Sequence, residues 1–402
     1  HARFELFEVT RQWEKLRKNW SNATQSDFSL HELDDEISIA SLRNLLIGER
    51  EILIEYFQTS DTLYTLAISI DQVEIFQVAK SEELNKQIDT YINHLHQKDQ
   101  QSLEDFRNFI NAANYLYQTL LEPVLASEEM EATDRLTIVP DGRLSLIPFE
   151  SLIQTIPAAI DDVNYFALDY LCRGYIVNYA YSLNILINNL HVDKDVTKNE
   201  MVAFSYSSST ESPDSSARDD QFGELPFSAI ELRKLKKRIP KADYLAGDNA
   251  TEYNFKSLVQ GRGIIHLALH GEADTVDMLN SMLIFKAPGD TTEDGFLFAH
   301  ELYGIDMSKS QMAVLSACET GIGKTMEGEG VYSLARGFAY AGCPSIVMSL
   351  WKVNDQTTAE IMDHFYGYLA EGLEKDEALQ MAKLAYLNNS EDFTAHPANW
   401  AA

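Results

Sequence analysis

The chain has 402 residues, of which 45% are apolar, so it can bury two cores or one large core and is not a small stapled scaffold. Its 32 basic and 62 acidic residues give a formal net charge of −30, which repels phosphate backbones and predicts no direct nucleic-acid binding. The same charge suits a basic protein partner, although many soluble proteins are acidic without having one.

Cysteine usage and hydropathy indicate a cytoplasmic protein. The three cysteines, Cys172, Cys318 and Cys343, are an odd number at wide spacing, which gives no disulfide framework and fits a reducing compartment. No apolar run approaches the roughly 20 residues that span a bilayer, and the first residues are charged rather than signal-like. We therefore expect no membrane insertion.

The first part of the chain combines a helical segment with β-rich runs. Residues 1–40 have helical spacing in FELFEVTRQWEKL and then turn polar, which predicts a helical connector. The runs EILIEYF, TLYTLAISI and VEIFQVA, separated by short turns, predict an antiparallel meander. Helical stretches follow at about 81–98 and 102–125.

Two later segments bound the next part. The stretch RLTIVPDGRLSLIPFESL predicts a strand, a Pro-Asp-Gly turn and a short run that leads into a helix. Residues 206–222 are rich in Ser and Asp and have almost no apolar content, so we predict an exposed, protease-sensitive linker there. A boundary between two halves is expected nearby, around residue 196.

From residue 200 onward, strands and helices alternate. The strands are MVAFSY, DYLAG, GIIHLALH, QMAVLSAC and PSIVMSLW, and the helices lie at about 227–239, 250–260, 355–371 and 374–388, with another in EGVYSLARGFAYAG. Such alternation predicts parallel pairing and a doubly wound α/β unit.

Two of these strands end in residues that can do chemistry. GIIHLALH ends on His270, before Gly271, and QMAVLSAC ends on Cys318. Reacting groups gather at the carboxyl ends of parallel strands, so the imidazole and the thiol would face each other if the strands are neighbours. His270 would then deprotonate Cys318 and later protonate the leaving amine. The backbone N–H groups of Gly271 and Cys318 are the expected oxyanion donors.

Other interpretations of these residues are weaker. Cys318 alone could be an inert buried thiol, as we predict for Cys172 and Cys343. His266, mid-strand, is interpreted as a core histidine. A zinc set of His266, His270, Cys318 and Cys343 lacks the close spacing of known sites, and the glycines of GIGKTMEGEG lack phosphate-loop spacing. We therefore predict neither metal nor cofactor.

Four ordered motifs resemble one family. LTIVPDGRLSLIPFESL, HLALHG, LSACETGIG and GEGVYSLARGFAYAGCPSIVMSLWKVND, in that order, resemble the CHAT domain, a caspase-like module found beside helical repeats, and more distantly separase. Cys318 lies 48 residues after His270, near the separation of roughly 50 in caspases. The sequence SACETG differs from the caspase pattern, so cleavage after aspartate is not implied.

The resemblance implies an architecture and a function. Residues 41–195 would form an inactive caspase-like half and residues 196–402 the catalytic half, both with doubly wound α/β sheets. The protein would be a cysteine endopeptidase, controlled by an N-terminal TPR-type repeat or regulatory partner, acting on a protein substrate in bacterial antiphage defence or programmed cell death. The rival is a catalytically silent peptide-binding or scaffold module, which would have no need of both His270 and Cys318.

The resemblance also places a substrate pocket between the nucleophile loop, with Glu319, and the segment SLWKVNDQTT, with Trp351 and Asp355. Asp355 matches one acidic position that helps hold a substrate arginine in separase, which predicts arginine or lysine before the scissile bond. Alternatively, Asp355 caps the helix that follows and the pocket is small and apolar. Trp351 would either wall the cleft or pack in the core.

Overall fold

The structure is a computed structural model whose description covers most of the chain after residue 49. The described residues are 50–96, 102–130, 133–183, 186, 201–208, 222–272, 280–286, 293–316, 333–351, 353–391 and 394–402. The described residues all belong to one compact unit. The predicted helical connector at 1–40 and the boundary near 196 lie outside the described residues and stay predictions.

A five-stranded mixed sheet forms from the first part of the chain. The strands β1 (Glu51–Gln58), β2 (Thr62–Ile68) and β3 (Val73–Ala79) pair antiparallel in sequence, which confirms the predicted meander. On the other side of β1, β4 (Arg135–Val139) pairs parallel with β1 and β5 (Ile176–Tyr179) pairs parallel with β4. The order is β3-β2-β1-β4-β5, with β5 at one edge.

Helices α1 (Glu82–His96), α2 (Leu103–Leu120) and α3 (Glu122–Leu125) follow β3, as predicted. Phe106, Phe109 and Ile110 of α2 are buried in the core of this part. Apolar residues that recur every three to four positions make one face of each long helix bury itself, which explains why periodicity alone located both.

The helix predicted after β4 is wrong. That segment folds instead into two short 3₁₀ helices, Gly142–Leu146 and Phe149–Ser151. Ile147 is extended, with φ −94° and ψ 116°, because the following Pro148 disfavours helical backbone in the residue before it. Pro148 also has no N–H with which to continue a helix.

A second five-stranded sheet, entirely parallel, forms from the later part of the chain. It contains β6 (Met201–Ser205), β7 (Asp243–Ala246), β8 (Ile264–Ala268), β12 (Met312–Leu315) and β13 (Ile346–Met348). The order β13-β12-β8-β6-β7 and the parallel pairing confirm the prediction from strand–helix alternation. The order in which strands are added reverses between β6 and β8: β7 lies on one side of β6, whereas β8, β12 and β13 lie on the other. A crevice therefore opens at the carboxyl ends of β6 and β8.

Helices cover both faces of the parallel sheet. Met312 and Val314 of β12 face one core, whereas Ala313 and Leu315 face the other, so the strand reads as continuously apolar. The helices are α4 (Pro226–Arg238), α5 (Glu252–Leu258), α6 (Ala299–Leu302), α7 (Ser333–Tyr340), α8 (Asp355–Glu371), α9 (Lys375–Asn388) and α10 (Pro397–Trp400). Helices α4 and α8 pack together on one face. None of the helices described is both long and apolar enough to cross a membrane.

A small antiparallel sheet contains His270. It consists of β9 (His270–Glu272), β10 (Met282–Ile284) and β11 (Phe296–Phe298). The prediction that one strand runs through GIIHLALH to His270 is therefore wrong, because β8 ends at Ala268. Pairing changes there: the Ala268 carbonyl accepts from Tyr206 N–H, and His270 pairs with Ile284 of β10.

Helix α9 makes polar contacts with the part of the chain that forms the mixed sheet. Lys383 of α9 forms an ion pair of 2.6 Å with Glu150, and both side chains are only 10% exposed. Asp376, at the start of α9, pairs with Arg135 of β4 at 3.1 Å, and Gln380 donates to the Cys172 carbonyl at 2.7 Å. Helix α9 thus ties the later part of the chain to the mixed sheet.

Candidate catalytic site

The predicted pair of catalytic strands are neighbours. β8 and β12 pair parallel, with His266 beside Val314 and Leu267 beside Leu315. His270 follows β8 by two residues, and Ser316 is the last described residue after β12. Cys318 and Glu319 lie outside the described residues. The condition that the two strands are neighbours is met, while the pairing of His270 with Cys318 stays a prediction.

His270 is held at the mouth of the crevice by a backbone carbonyl. Its Nε2 lies 3.1 Å from the carbonyl oxygen of Gly223. A carbonyl can only accept, so Nε2 carries the proton in the neutral ring and Nδ1 is the basic nitrogen. The Tyr206 ring meets the imidazole edge-on at 4.5 Å and Phe222 lies at 6.1 Å. The ring is thereby fixed on two sides, and its tautomer is defined.

The loop that presents the Gly223 carbonyl is itself held by side-chain contacts. Gly223 has φ +62°, a left-handed conformation that favours glycine. Next to it, Glu224 accepts from the Ser207 hydroxyl and pairs with Lys286 at 2.9 Å. The Lys286 ammonium also lies 3.9 Å above the Tyr206 ring, a cation–π contact. These contacts fix the acceptor that orients His270.

Sequence reasoning missed this loop because it assigned residues 206–222 to an exposed linker. Tyr206 and Ser207 are each only 1% exposed, so the prediction is wrong for the start of the segment. Phe222 is half-buried against His270. Residues 209–221 lie outside the described residues. The one signal available was the aromatic-Gly pair at Phe222 and Gly223, which interrupts the polar composition.

Gly271 follows His270 within β9 and lies opposite Leu283 of β10. It is half-buried, next to the base. A glycine allows a substrate carbonyl to approach the backbone without hindrance from a side chain. Its proposed role as an oxyanion donor, shared with the amide of Cys318, stays a prediction.

Asp355 lies at the amino end of α8, but it is not the helix cap. The cap is Asn354, whose side chain accepts from the N–H groups of Gln356 and Thr357. The interpretation of Asp355 as a capping residue is therefore wrong. Asp355 is half-buried and lines a cavity of about 70 Å³ together with Ser316, Glu231, Lys383 and a majority of apolar side chains.

Trp351 packs in the core. It is 3% exposed, and its indole N–H donates to the Ala398 carbonyl at 2.9 Å. The edge of its ring system also meets His96 at 5.7 Å. Of the two roles considered for Trp351, this position favours packing in the core over walling the substrate cleft.

The two described cysteines are poor nucleophiles. Cys172 and Cys343 are buried and free, and burial raises the pKa of each thiol to about 12. A thiol with such a pKa has almost no thiolate at neutral pH. Their assignment as structural residues is consistent with this, and Cys318 is the remaining cysteine of the chain.

One acidic group in the described part of the chain has metal-ligand spacing. Glu252, Glu293 and Glu301 have carboxylate oxygens within 4.8 Å of one another. The ammonium of Lys256 lies 2.7, 2.8 and 2.9 Å from these carboxylates, respectively. The lysine supplies the positive charge at the centre of the group, so the cluster is an ion-pair network.

Comparison with known families gives one match. The family model described as the CHAT domain matches residues 111–402, more than half of the chain. The matched range contains β4 to β13, His270 and Cys318. No curated protein matches the sequence. The CHAT domain is associated with caspase-like cysteine peptidases, and the mixed α/β architecture with its parallel sheet is compatible with a caspase-like fold.

Proposed function

Because the chain belongs to the CHAT-domain family, we propose that it is a cysteine endopeptidase that cleaves a protein substrate with His270 and Cys318. One observation carries the proposal: His270, held by the Gly223 carbonyl, follows β8, and β8 pairs parallel with β12, the strand that precedes Cys318. A binding module would not require an oriented base next to the strand that precedes a cysteine.

The proposed reaction is acyl transfer. Nδ1 of His270 takes the proton from the Cys318 thiol, and the thiolate attacks the carbonyl carbon of the scissile peptide. The N–H groups of Gly271 and Cys318 donate to the developing oxyanion. His270 then protonates the leaving amine, and water attacks the acyl-enzyme to release the acid and regenerate the thiol.

The proposed regulation and biological setting come from the family resemblance. Another module of the protein, an N-terminal helical repeat, or a regulatory partner would keep the cleft closed until a signal arrives, in bacterial defence or programmed cell death. The net charge of −30 favours a basic partner or substrate segment and disfavours direct nucleic-acid binding.

We also propose that Asp355 contributes to the pocket for the residue before the scissile bond. Asp355 lines the cavity that contains Ser316, two residues before Cys318. A carboxylate there would pair with an arginine or lysine of the substrate. Glu319, which lies outside the described residues, is proposed for the same pocket from its position in the sequence alone.

Substitution of the two reacting residues tests the function. We expect Cys318→Ala and His270→Ala to abolish cleavage of a peptide library analysed by mass spectrometry, with circular dichroism unchanged. Cys343→Ala is the matched control, because that thiol is fully buried and should leave turnover intact. Turnover retained in Cys318→Ala would refute the assignment. Peptide binding without cleavage or thiol reactivity would instead support the silent binding module.

A further inference from the structure

A buried polar network lies beneath the catalytic crevice. Ser316 donates its hydroxyl to Glu231 Oε2 at 2.9 Å, and the other carboxylate oxygen lies 3.2 Å from His266 Nε2. The second ring nitrogen, Nδ1, lies 3.0 Å from the hydroxyl of Tyr366. Glu231, His266 and Tyr366 are at most 3% exposed. The network joins α4, β8, α8 and the end of β12.

The direction of the hydrogen bonds makes Glu231 the terminal acceptor. Burial, followed by the charge of Glu231, raises the pKa of Tyr366 well above its ordinary value, so its hydroxyl stays protonated and can donate to, or accept from, His266 Nδ1. When Tyr366 donates, the proton of the neutral His266 ring is on Nε2, facing Glu231. That contact is not well aligned as a hydrogen bond. The Ser316 hydroxyl therefore makes the better-defined bond to the carboxylate.

The position of Ser316 gives this bond a consequence for the site. The described pairing of β12 with β8 and β13 ends at Leu315, and Ser316 is the next residue. Val314 faces the core on the α4 and α8 side, and strand alternation points Ser316 the same way. The hydrogen bond to Glu231 thus anchors the chain at the first residue after the strand pairing ends, two residues before Cys318.

We propose that Glu231 is a positioning residue that, through Ser316, fixes the direction in which the chain leaves β12 and so the placement of the Cys318 thiol relative to His270. The inference rests on the proposed function and adds a residue that acts through another. A displacement of about 1 Å between reacting groups can lower a rate by about 100-fold, so one hydrogen bond at this point affects catalysis.

The test uses substitutions that separate the bond from general stability. Ser316→Ala removes the donor, Ser316→Thr retains it, and Glu231→Gln removes the charge from the acceptor. The matched control for serine is Ser310→Ala, because the buried Ser310, just before β12, donates to the Arg262 carbonyl at 2.8 Å. The control for the carboxylate is Glu252→Gln, equally buried and remote from the crevice.

The first readout does not require a substrate. Alkylation of Cys318 by iodoacetamide is followed by mass spectrometry against pH. We expect the wild-type midpoint to lie below the ordinary thiol value of about 8.5, because His270 supports the thiolate. Ser316→Ala and Glu231→Gln should lower the rate at pH 7 by about 10-fold, the typical effect of losing a hydrogen bond to a charged group. Ser316→Thr should restore it.

The second readout is kcat/KM on a peptide selected from the library, with thermal unfolding measured for every variant. The loss should appear in kcat, and Ser316→Ala combined with Glu231→Gln should cost no more than one substitution alone. Wild-type alkylation and kcat in a folded Ser316→Ala protein would overturn the inference and leave the dyad intact. A wild-type Cys318 as unreactive as Cys172, with turnover retained in Cys318→Ala, would instead overturn the proposed function.

Discussion

Replacing Lys383 with methionine should strongly destabilise the chain. Lys383→Met removes the ammonium that lies 2.6 Å from Glu150, and both side chains are 10% exposed. Glu150 keeps the hydrogen bond from the Tyr179 hydroxyl at 2.5 Å but loses its counter-charge. An uncompensated buried carboxylate costs about 3–5 kcal/mol, so we expect the free energy of unfolding to fall by that amount.

Urea denaturation followed by tryptophan fluorescence measures this loss. Adding Glu150→Gln to Lys383→Met should recover most of it, because the buried charge disappears with its partner. The control is Arg143→Met, which breaks the exposed ion pair with Asp89 and should cost less than about 1 kcal/mol. The reasoning would be refuted if Lys383→Met were as stable as Arg143→Met, or if the double variant had a lower free energy of unfolding than Lys383→Met alone.

Three further predictions concern the site and the core. Gly223→Ala should lower kcat without unfolding the protein. A φ of +62° is strained for alanine, but the added Cβ would meet no atom within 4 Å. Steady-state kinetics and a thermal melt check this. Asp355→Asn should weaken cleavage after arginine or lysine, and a library preference for leucine, unchanged in this variant, would contradict the acidic pocket. Burial, opposed by the charge of Asp105, lowers the pKa of His94 to about 4. Below pH ~6.5 the unfolded chain therefore binds more protons at this residue than the folded chain does. The free energy of unfolding should fall by about 2 kcal/mol from pH 7 to pH 5. Urea titrations at both pH values should show this fall in wild type and not in His94→Gln.

Local patterns were sufficient to predict most elements from the sequence. The helix expected at 355–371 is found at Asp355–Glu371, because apolar periodicity and a polar amino end act within the segment itself. The parallel sheet followed from strand–helix alternation, since only crossover connections fit that order. The neighbouring arrangement of β8 and β12 could be predicted as a condition for chemistry, and it is found.

The omissions at the site involve contacts between distant residues. The break between β8 and β9 has no local signal, because the run GIIHLALH stays apolar while its pairing partner changes. The Gly223 carbonyl is 47 residues from His270, and Glu231 is 85 residues from Ser316. Hydropathy and spacing describe a segment, not its partner, so neither contact could be predicted. The cap at Asn354 was missed by one residue because both candidates are good caps.

His270 lies in a three-stranded sheet that does not include β12. This placement determines which contacts would have to break for the distance between the two reacting groups to change. If both reacting groups ended adjacent strands of a single ladder, changing the distance between them would rupture the main-chain bonds of that ladder. Here the base is attached to β10 and to the Gly223 carbonyl, and the parallel ladder ends at Ala268. The imidazole and the end of β12 are therefore held by different sets of main-chain bonds, so a change in the position of one does not by itself break the pairing that holds the other.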